Sequence, residues 1–178
     1  MYKCIILVEY KNNSKAILTL CENVEGKINT IFKTKAFIGK NGIASDKCEG
    51  DKKTPKGVFY LSKAFGLLKD PRSKLEYLKV NKNNYFVDDE NSKYYNKMVN
   101  ILNVEKDWIR AEHLVKFRSQ YKYAIIIDYN KKCIKGDGSA IFLHCSKGKP
   151  TAGCIAIAKK YMLKLLRKVD KETIIIIV

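Results

Sequence analysis

The hydrophobic residues of this chain fall mostly into short runs that are typical of β-strands. Residues 2–9 and 15–20 are apolar and flank a turn-type cluster, Lys11-Asn12-Asn13-Ser14, so they predict a β-hairpin. Further strands are predicted over residues 28–38, 58–61, 123–129, 140–143, 155–157 and 173–178. The isoleucine-rich run at 123–129 is nearly continuous, which is typical of a central strand.

Helical periodicity is limited to three segments. Residues 92–102 carry apolar side chains at helical spacing, namely Tyr94, Tyr95, Met98, Val99 and Leu102. Trp108 to Phe117 predicts a short helix, and residues 158–169 predict an amphipathic one. Because short strands outnumber helices, we expect a mainly β fold, a β-sandwich with peripheral helices, in a single domain over residues 1–178.

Two polar segments separate these runs. The loop over residues 44–57 ends at Pro55 and Gly57, just before a predicted strand. The apolar run Phe86-Val87 ends on Asp88 and Asp89. Adjacent carboxylates can bind a metal or capture an amine, although they more commonly begin a turn or cap a helix.

The charge of the chain favours an anionic partner. It has 35 basic and 18 acidic residues among 178, for a net charge of +17. The lysines are dispersed through every segment, without zinc-finger spacing or an RNA-binding aromatic signature, so we do not expect nucleic acid. No apolar run reaches the roughly 18 residues of a membrane span. Glu9 interrupts the apolar N-terminal stretch, which predicts a first strand and not a secretory signal.

Six cysteines are irregularly spaced, at positions 4, 21, 48, 133, 145 and 154. None belongs to a CxxC pair, so a zinc site is not expected. Cys4 is predicted to be a core thiol. Alternation along a strand places Cys145 on the opposite face from its neighbour His144.

A histidine and a cysteine adjoin two predicted strands that are close in sequence. His144 ends the run before it, and Gly153-Cys154 precedes the run 155–157. An imidazole within hydrogen-bond reach can take the proton of a thiol, and we expect Cys154 to have a depressed pKa. Backbone N–H groups of Gly153 and Cys154 can face an oxyanion, since glycine permits close approach. A buried core cysteine is the commoner role of such a pair.

The segment HCSKGKPTAGCIAI, residues 144–157, resembles the active-site segment of the L,D-transpeptidase catalytic domain, the YkuD or ErfK/YbiS/YcfS/YnhG family. His144, Thr151, Gly153 and Cys154 match the histidine, Ser/Thr, glycine and cysteine of the family pattern. The spacer is shorter than in the best-known members. Ala152 replaces their second histidine, as in a subgroup that lacks it.

Further blocks resemble the family in the expected order. They are IGKNGI at 38–43, GDKKTPKGVFYL at 50–61, FVDDENSKYYNKMV at 86–99, WIRAEHL at 108–114 and YAIIIDYN at 123–130. Together they span most of the chain. The resemblance implies that Thr151, His113, Asp88, Tyr95 and Asn96 face the substrate cleft.

The resemblance implies a cysteine acyltransferase that needs no metal or cofactor. His144 would activate Cys154, which would attack the third residue of a peptidoglycan stem tetrapeptide and release D-alanine. An amine of a neighbouring stem would then form a 3-3 cross-link, whereas water would make the enzyme an L,D-carboxypeptidase. A backbone carbonyl near the histidine would orient its ring.

Other functions stay open from the sequence. Ala152 and the short spacer are compatible with a non-catalytic basic module that binds wall polymer or nucleic acid. A cysteine protease or amidase could use the same two residues. The resemblance implies a location in the cell envelope or spore wall, where anionic wall polymers would attract the basic chain.

Overall fold

The computed structural model describes residues 3–178, so the predicted strand residue Tyr2 lies outside the described part. The strands are β1 (Cys4–Asn12), β2 (Lys15–Val24), β3 (Lys27–Phe37), β4 (Ile43–Ala44), β5 (Thr54–Pro55), β6 (Gly57–Gly66), β7 (Tyr77–Lys79), β8 (Asn84–Val87), β9 (Lys97–Asn100), β10 (Ala111–His113), β11 (Ala124–Ile127), β12 (Phe142–Cys145), β13 (Ile155–Ile157) and β14 (Ile174–Ile177). The helices are α1 (Lys159–Lys168) and two 3-10 turns, Leu114–Lys116 and Gln120–Lys122.

Nine strands form one large sheet in the order β11-β12-β13-β3-β2-β1-β14-β6-β7. Strand β11 pairs with β12 on one side and with β6 on the other, so eight of these strands close into a ring. The predicted hairpin is β1–β2, and Asn13 and Ser14 make its turn with positive φ angles of 43° and 66°. The mainly β fold with peripheral helices is therefore confirmed.

The main core lies inside this ring of strands. Alternate residues of β1, Cys4, Ile6 and Val8, are buried, as the period of a strand requires. Helix α1 buries Met162, Leu165 and Leu166 against the same core, which confirms the predicted amphipathic helix.

The helix predicted over residues 92–102 is wrong. Residues 92–96 form turns, and β9 follows as the hairpin partner of β8. Asn96 has φ of 57° and donates its N–H to the carbonyl of Val87, so the backbone cannot continue as a helix there. Leu102, one end of the predicted buried stripe, is 73% exposed.

The helix predicted over Trp108–Phe117 is also wrong for most of its length. Residues 111–113 form β10, which pairs antiparallel with β8, and only Leu114–Lys116 form a 3-10 turn. Asp89 accepts hydrogen bonds from the N–H groups of Asn91 and Ile109, which fixes the chain before β10. Tertiary pairing thus overrides the local helical spacing.

A smaller sheet, β10-β8-β9, stands beside the ring. A second cluster of buried residues joins the two, and its members are Phe65, Val80, Phe86, Leu114, Tyr121, Ala124 and Phe142. Cys154 is partly buried against this cluster. The cluster therefore packs the smaller sheet, which includes β10, against β12.

Candidate active site

His144 lies on β12, and Cys154 immediately precedes the neighbouring parallel strand β13. His144 of β12 pairs with Ala156 of β13, and Cys154 comes two residues before Ala156. Both side chains line one pocket of about 260 Å³, which we name the histidine-side pocket. Its lining also includes Glu112, Tyr121, Lys147, Lys149, Thr151 and Ala152. The structure thus brings the two predicted reactive residues to one cavity.

His144 is buried and held in one orientation. Its Nδ1 lies 3.0 Å from the carbonyl oxygen of Cys145, and because a carbonyl only accepts, we assign the Nδ1 proton to this bond. Nε2 is then the basic nitrogen. Burial lowers the pKa of His144 to about 4, although the bond to the Cys145 carbonyl raises it in part. The imidazole is therefore neutral at physiological pH, as a general base must be.

The Cys154 thiol is protonated in this structure. Its Sγ donates to the carbonyl of Ala140 at 3.2 Å and accepts from the N–H of Phe142 at 3.3 Å. Burial, and then the negative charge of Glu112, raises the pKa of Cys154 to about 12, against the lowering effects of Phe142 N–H and Lys47. The expected depressed pKa is therefore wrong: both residues are neutral. Among the described residues the thiol hydrogen-bonds to Ala140 and Phe142, and no hydrogen bond joins it to His144.

The turn before Cys154 is built around Gly153. Its φ is 143°, and a side chain there would bring a Cβ to 3.0 Å from the carbonyl oxygen of Lys53. Thr151 Oγ1 accepts the Gly153 N–H at 3.2 Å and donates to the Cys154 carbonyl. Thr54 donates to the Gly153 carbonyl at 2.7 Å. The Gly153 N–H is therefore engaged with Thr151, whereas the other predicted oxyanion donor, Cys154 N–H, has no acceptor among the described residues.

A second pocket of about 460 Å³ opens on the other side of Cys154, and we name it the acidic-side pocket. Its lining includes four carboxylates, Glu49, Asp88, Glu90 and Glu112, and three basic residues, Lys47, Lys52 and Arg110. Cys154, Glu112 and Ala152 line both pockets. Because Ala152 has a small side chain, the two cavities adjoin across it.

Two of the predicted substrate-binding residues line these pockets. Thr151 lines the histidine-side pocket, and Asp88 lines the acidic-side pocket. Asp88 Oδ2 lies 3.5 Å from Arg110 Nε, whereas its buried Oδ1 has no hydrogen-bond partner among the described residues. Burial raises the pKa of Asp88, and Arg110 lowers it in part.

Three others do not line either pocket. Tyr95 is connected to the acidic-side pocket through Glu49, to which its hydroxyl donates at 2.6 Å. Asn96 donates its amide to the carbonyls of Tyr129 and Asn130, at 3.1 and 2.9 Å. His113 stacks on Tyr85 with 4.4 Å between ring centroids, and its Nε2 lies 2.8 Å from the Lys82 carbonyl. The predicted cleft contact of His113 is corrected, because β10 turns that side chain to the face opposite Glu112.

Four residues of the site were missed by sequence reasoning. Glu112 and Tyr121 border the thiol, and the Tyr121 hydroxyl donates to Glu112 Oε2. Thr54 holds the turn at Gly153, and Lys47 forms a buried ion pair with Asp51 at 2.7 Å beside it. Alternation along β10 would have selected Glu112, had residues 111–113 been predicted as a strand.

A further cavity of about 680 Å³ adjoins the acidic-side pocket at Ile141. It is lined by Asn84, Asn96, Lys97, Met98, Tyr129 and Cys133 among others, and contains neither His144 nor Cys154. Within residues 3–178, no helix has the length and apolarity needed to cross a membrane. In the same range, no group of three acidic, histidine or cysteine side chains is arranged to hold a metal ion.

Comparison with known proteins identifies the family. The family model of the L,D-transpeptidase catalytic domain (YkuD) matches residues 6–177. The chain therefore belongs to the YkuD family. None of the curated proteins matches the sequence.

Several solved structures resemble the chain, including the following two. Bd1075 of Bdellovibrio bacteriovorus has 21% identity and a TM-score of 0.53, over 99% of this chain and 48% of that one. L,D-transpeptidase 1 of Mycobacterium tuberculosis has 14% identity and a TM-score of 0.47, over 99% of this chain and 62% of that one. The chain thus spans about half to three fifths of the length of these neighbours, and Bd1075 supports the fold alone.

Proposed function

We propose that this protein is an L,D-transpeptidase that acts on peptidoglycan stem tetrapeptides through a thioester on Cys154. The observation that carries the proposal is the placement of a neutral, oriented His144 in the same pocket as the Cys154 thiol. Membership of the YkuD family supports the choice of peptidoglycan peptides as the substrate class.

In the first half-reaction, His144 Nε2 takes the thiol proton as Cys154 Sγ attacks the carbonyl of the third stem residue. The raised pKa of the thiol means that this transfer accompanies attack and does not precede it. The Cys154 N–H stabilises the oxyanion. His144 then gives the proton to the departing D-alanine amine, and the thioester remains.

In the second half-reaction, an amine of a neighbouring stem attacks the thioester carbonyl. The carbon–sulfur bond breaks, Cys154 regains its proton, and a 3-3 cross-link forms. Entry of water in place of the amine gives the trimmed stem, which is the L,D-carboxypeptidase outcome. The net charge of +17 would hold such an enzyme near anionic wall polymers, and we propose the cell envelope or spore wall as its location.

The test is acylation by a carbapenem, followed by intact mass measurement. The wild-type protein should gain one adduct, and Cys154→Ala should gain none. Cys145→Ala is the matched control, since Cys145 is a neighbouring thiol buried in the main core, and it should still be labelled. Labelling of other cysteines with Cys154 untouched would favour the non-catalytic binding module.

Incubation with purified muropeptides then separates the two enzymatic outcomes. Cross-linked dimers with released D-alanine support the transpeptidase, and tripeptides alone support the carboxypeptidase. If neither product forms and Cys154 is not acylated, the proposed function is contradicted.

A further inference from the structure

Glu112 is the acidic residue that borders the thiol from both sides. It lines the histidine-side pocket with His144 and Cys154, and the acidic-side pocket with Asp88 and Cys154. Its Oε2 accepts the hydroxyl of Tyr121, a residue that is only 3% exposed. A carboxyl held in this way has a fixed position relative to any acyl group on Cys154.

The charges around Glu112 leave its carboxylate without a cation. Within the described residues no basic side chain forms an ion pair with Glu112. Two of the pocket bases are engaged elsewhere, Lys47 with Asp51 and Arg110 with Asp88. Three other lysines, Lys52, Lys147 and Lys149, line the pockets without forming an ion pair to Glu112. Asp88, which is paired with Arg110, lines the same pocket and adds a second carboxylate there. Glu112 is half-buried, and a partly desolvated carboxylate with no cation is a costly arrangement unless a ligand supplies one.

We propose that Glu112 binds the ammonium group of the acyl acceptor and removes one proton from it before the amine attacks the thioester. This inference rests on the proposed transferase function and assigns the acceptor to the acidic-side pocket.

Groups in the site account for every proton that moves in this step. The ammonium gives one proton to Glu112, and the neutral amine attacks the thioester carbonyl. As the carbon–sulfur bond breaks, His144 passes a second amine proton to Cys154 Sγ. The amide keeps the third hydrogen, and Glu112 releases its proton to water.

The chemistry of Glu112 suits a group that must accept and release a proton near neutrality. Burial raises the pKa of Glu112 to about 7, the hydrogen bond from Tyr121 lowers it, and the charge of Asp88 raises it. A carboxyl of this kind is ionised in part of the population and is still basic enough to deprotonate a bound ammonium.

The experiment compares two nucleophiles in the Glu112→Gln protein. Glutamine keeps an oxygen that can accept from Tyr121, but it takes no proton. With a stem peptide as acceptor, cross-linking should fall about tenfold or more, while acyl-enzyme formation persists. With hydroxylamine, which is mostly uncharged near neutral pH, transfer should change by less than about threefold, because no ammonium must be deprotonated. Glu105→Gln, at an exposed position away from both pockets, is the matched control.

A second variant tests the positioning of Glu112. Tyr121→Phe removes the hydrogen bond that lowers the pKa of Glu112, so the midpoint of the pH–rate profile for cross-linking should move to higher pH. Acylation by a carbapenem reports whether this variant is folded.

The outcomes are separable. Equal losses with both nucleophiles, or no loss with either, would overturn the role of Glu112 while the transferase function stands. If the acyl-enzyme is hydrolysed by water and never reacts with an amine, the proposed acceptor site is overturned. The thioester chemistry then still stands. If the wild-type protein forms no acyl-enzyme, the proposed function fails and this inference falls with it.

Discussion

Strands β10 and β12 border the same cleft, and each sends one polar side chain toward the thiol and the next one away. In β12, His144 enters the pocket and Cys145 is buried in the main core. In β10, Glu112 enters the pocket, whereas His113 stacks on Tyr85 outside it. The comparison shows that the alternation of side chains along a β-strand, more than residue type, decides which side chain reaches the thiol.

The two strands differ in how firmly the fold holds them. Strand β12 is central, with β11 and β13 on its two sides, whereas β10 is the edge of a three-stranded sheet. Burial is the main cause of both pKa shifts: it lowers the pKa of His144 to about 4 and raises the pKa of Glu112 to about 7. The central strand carries a fixed base, and the edge strand carries a group that titrates in the physiological range.

The largest effect is expected at the inward residue of β12. His144→Gln should slow carbapenem acylation by about 10²- to 10⁴-fold, because the thiol loses its proton acceptor. The residual rate should keep rising through alkaline pH, since the thiol pKa of about 12 then limits the supply of thiolate. Stopped-flow or mass-resolved time courses give these rates.

Cys145→Ala is the matched control for that experiment. It alters the outward side chain of the same strand and keeps the backbone carbonyl that orients His144. Acylation should stay within about twofold, with a stability cost of about 1 kcal/mol for the lost core thiol. A similar loss of acylation in both variants would mean that β12 is simply misfolded.

The inward residue of β10 should show its effect as pH-dependent stability. The folded pKa of Glu112 lies above its ordinary value of 4.5, so its contribution is fully present below pH 4.5 and is lost as the pH rises through about 7. Glu112→Gln should therefore be more stable than wild type at alkaline pH, by roughly 2 kcal/mol, and the advantage should shrink toward pH 4.5. Urea unfolding across pH measures this difference. A constant difference would mean that Glu112 is not buried as described.

The smallest effect is expected at the outward residue of β10. His113→Gln should leave carbapenem acylation and cross-linking within about twofold, and the lost stacking on Tyr85 should cost about 1 kcal/mol or less. A tenfold loss of transfer in a fully folded variant would mean that His113 reaches the cleft after all.

Sequence reasoning succeeded where the chain pairs locally and repeats a clear period. The β1–β2 hairpin, β13, β14 and α1 all follow from runs of apolar residues bounded by turn residues. The position of Cys145 on the face opposite His144 was also confirmed, because four apolar residues before His144 fix the strand.

Sequence reasoning failed where long-range contacts decide the conformation. Residues 92–102 and 108–117 have helical spacing, but hydrogen bonds donated to Asp89 and pairing with β8 hold them as turns and short strands. Glu112 was therefore missed and His113 was preferred. The raised pKa of Cys154 was equally hidden, since burial and the charge of Glu112 both arise from segments distant in sequence.

Strand β14, the four isoleucines Ile174–Ile177, has a consequence for biosynthesis. It lies between β1 and β6, pairing parallel to one and antiparallel to the other. While the ribosome is still making the preceding residues, both neighbours expose unpaired backbone edges beside apolar side chains. A nascent chain truncated before residue 174 should therefore depend on chaperones and precipitate without them.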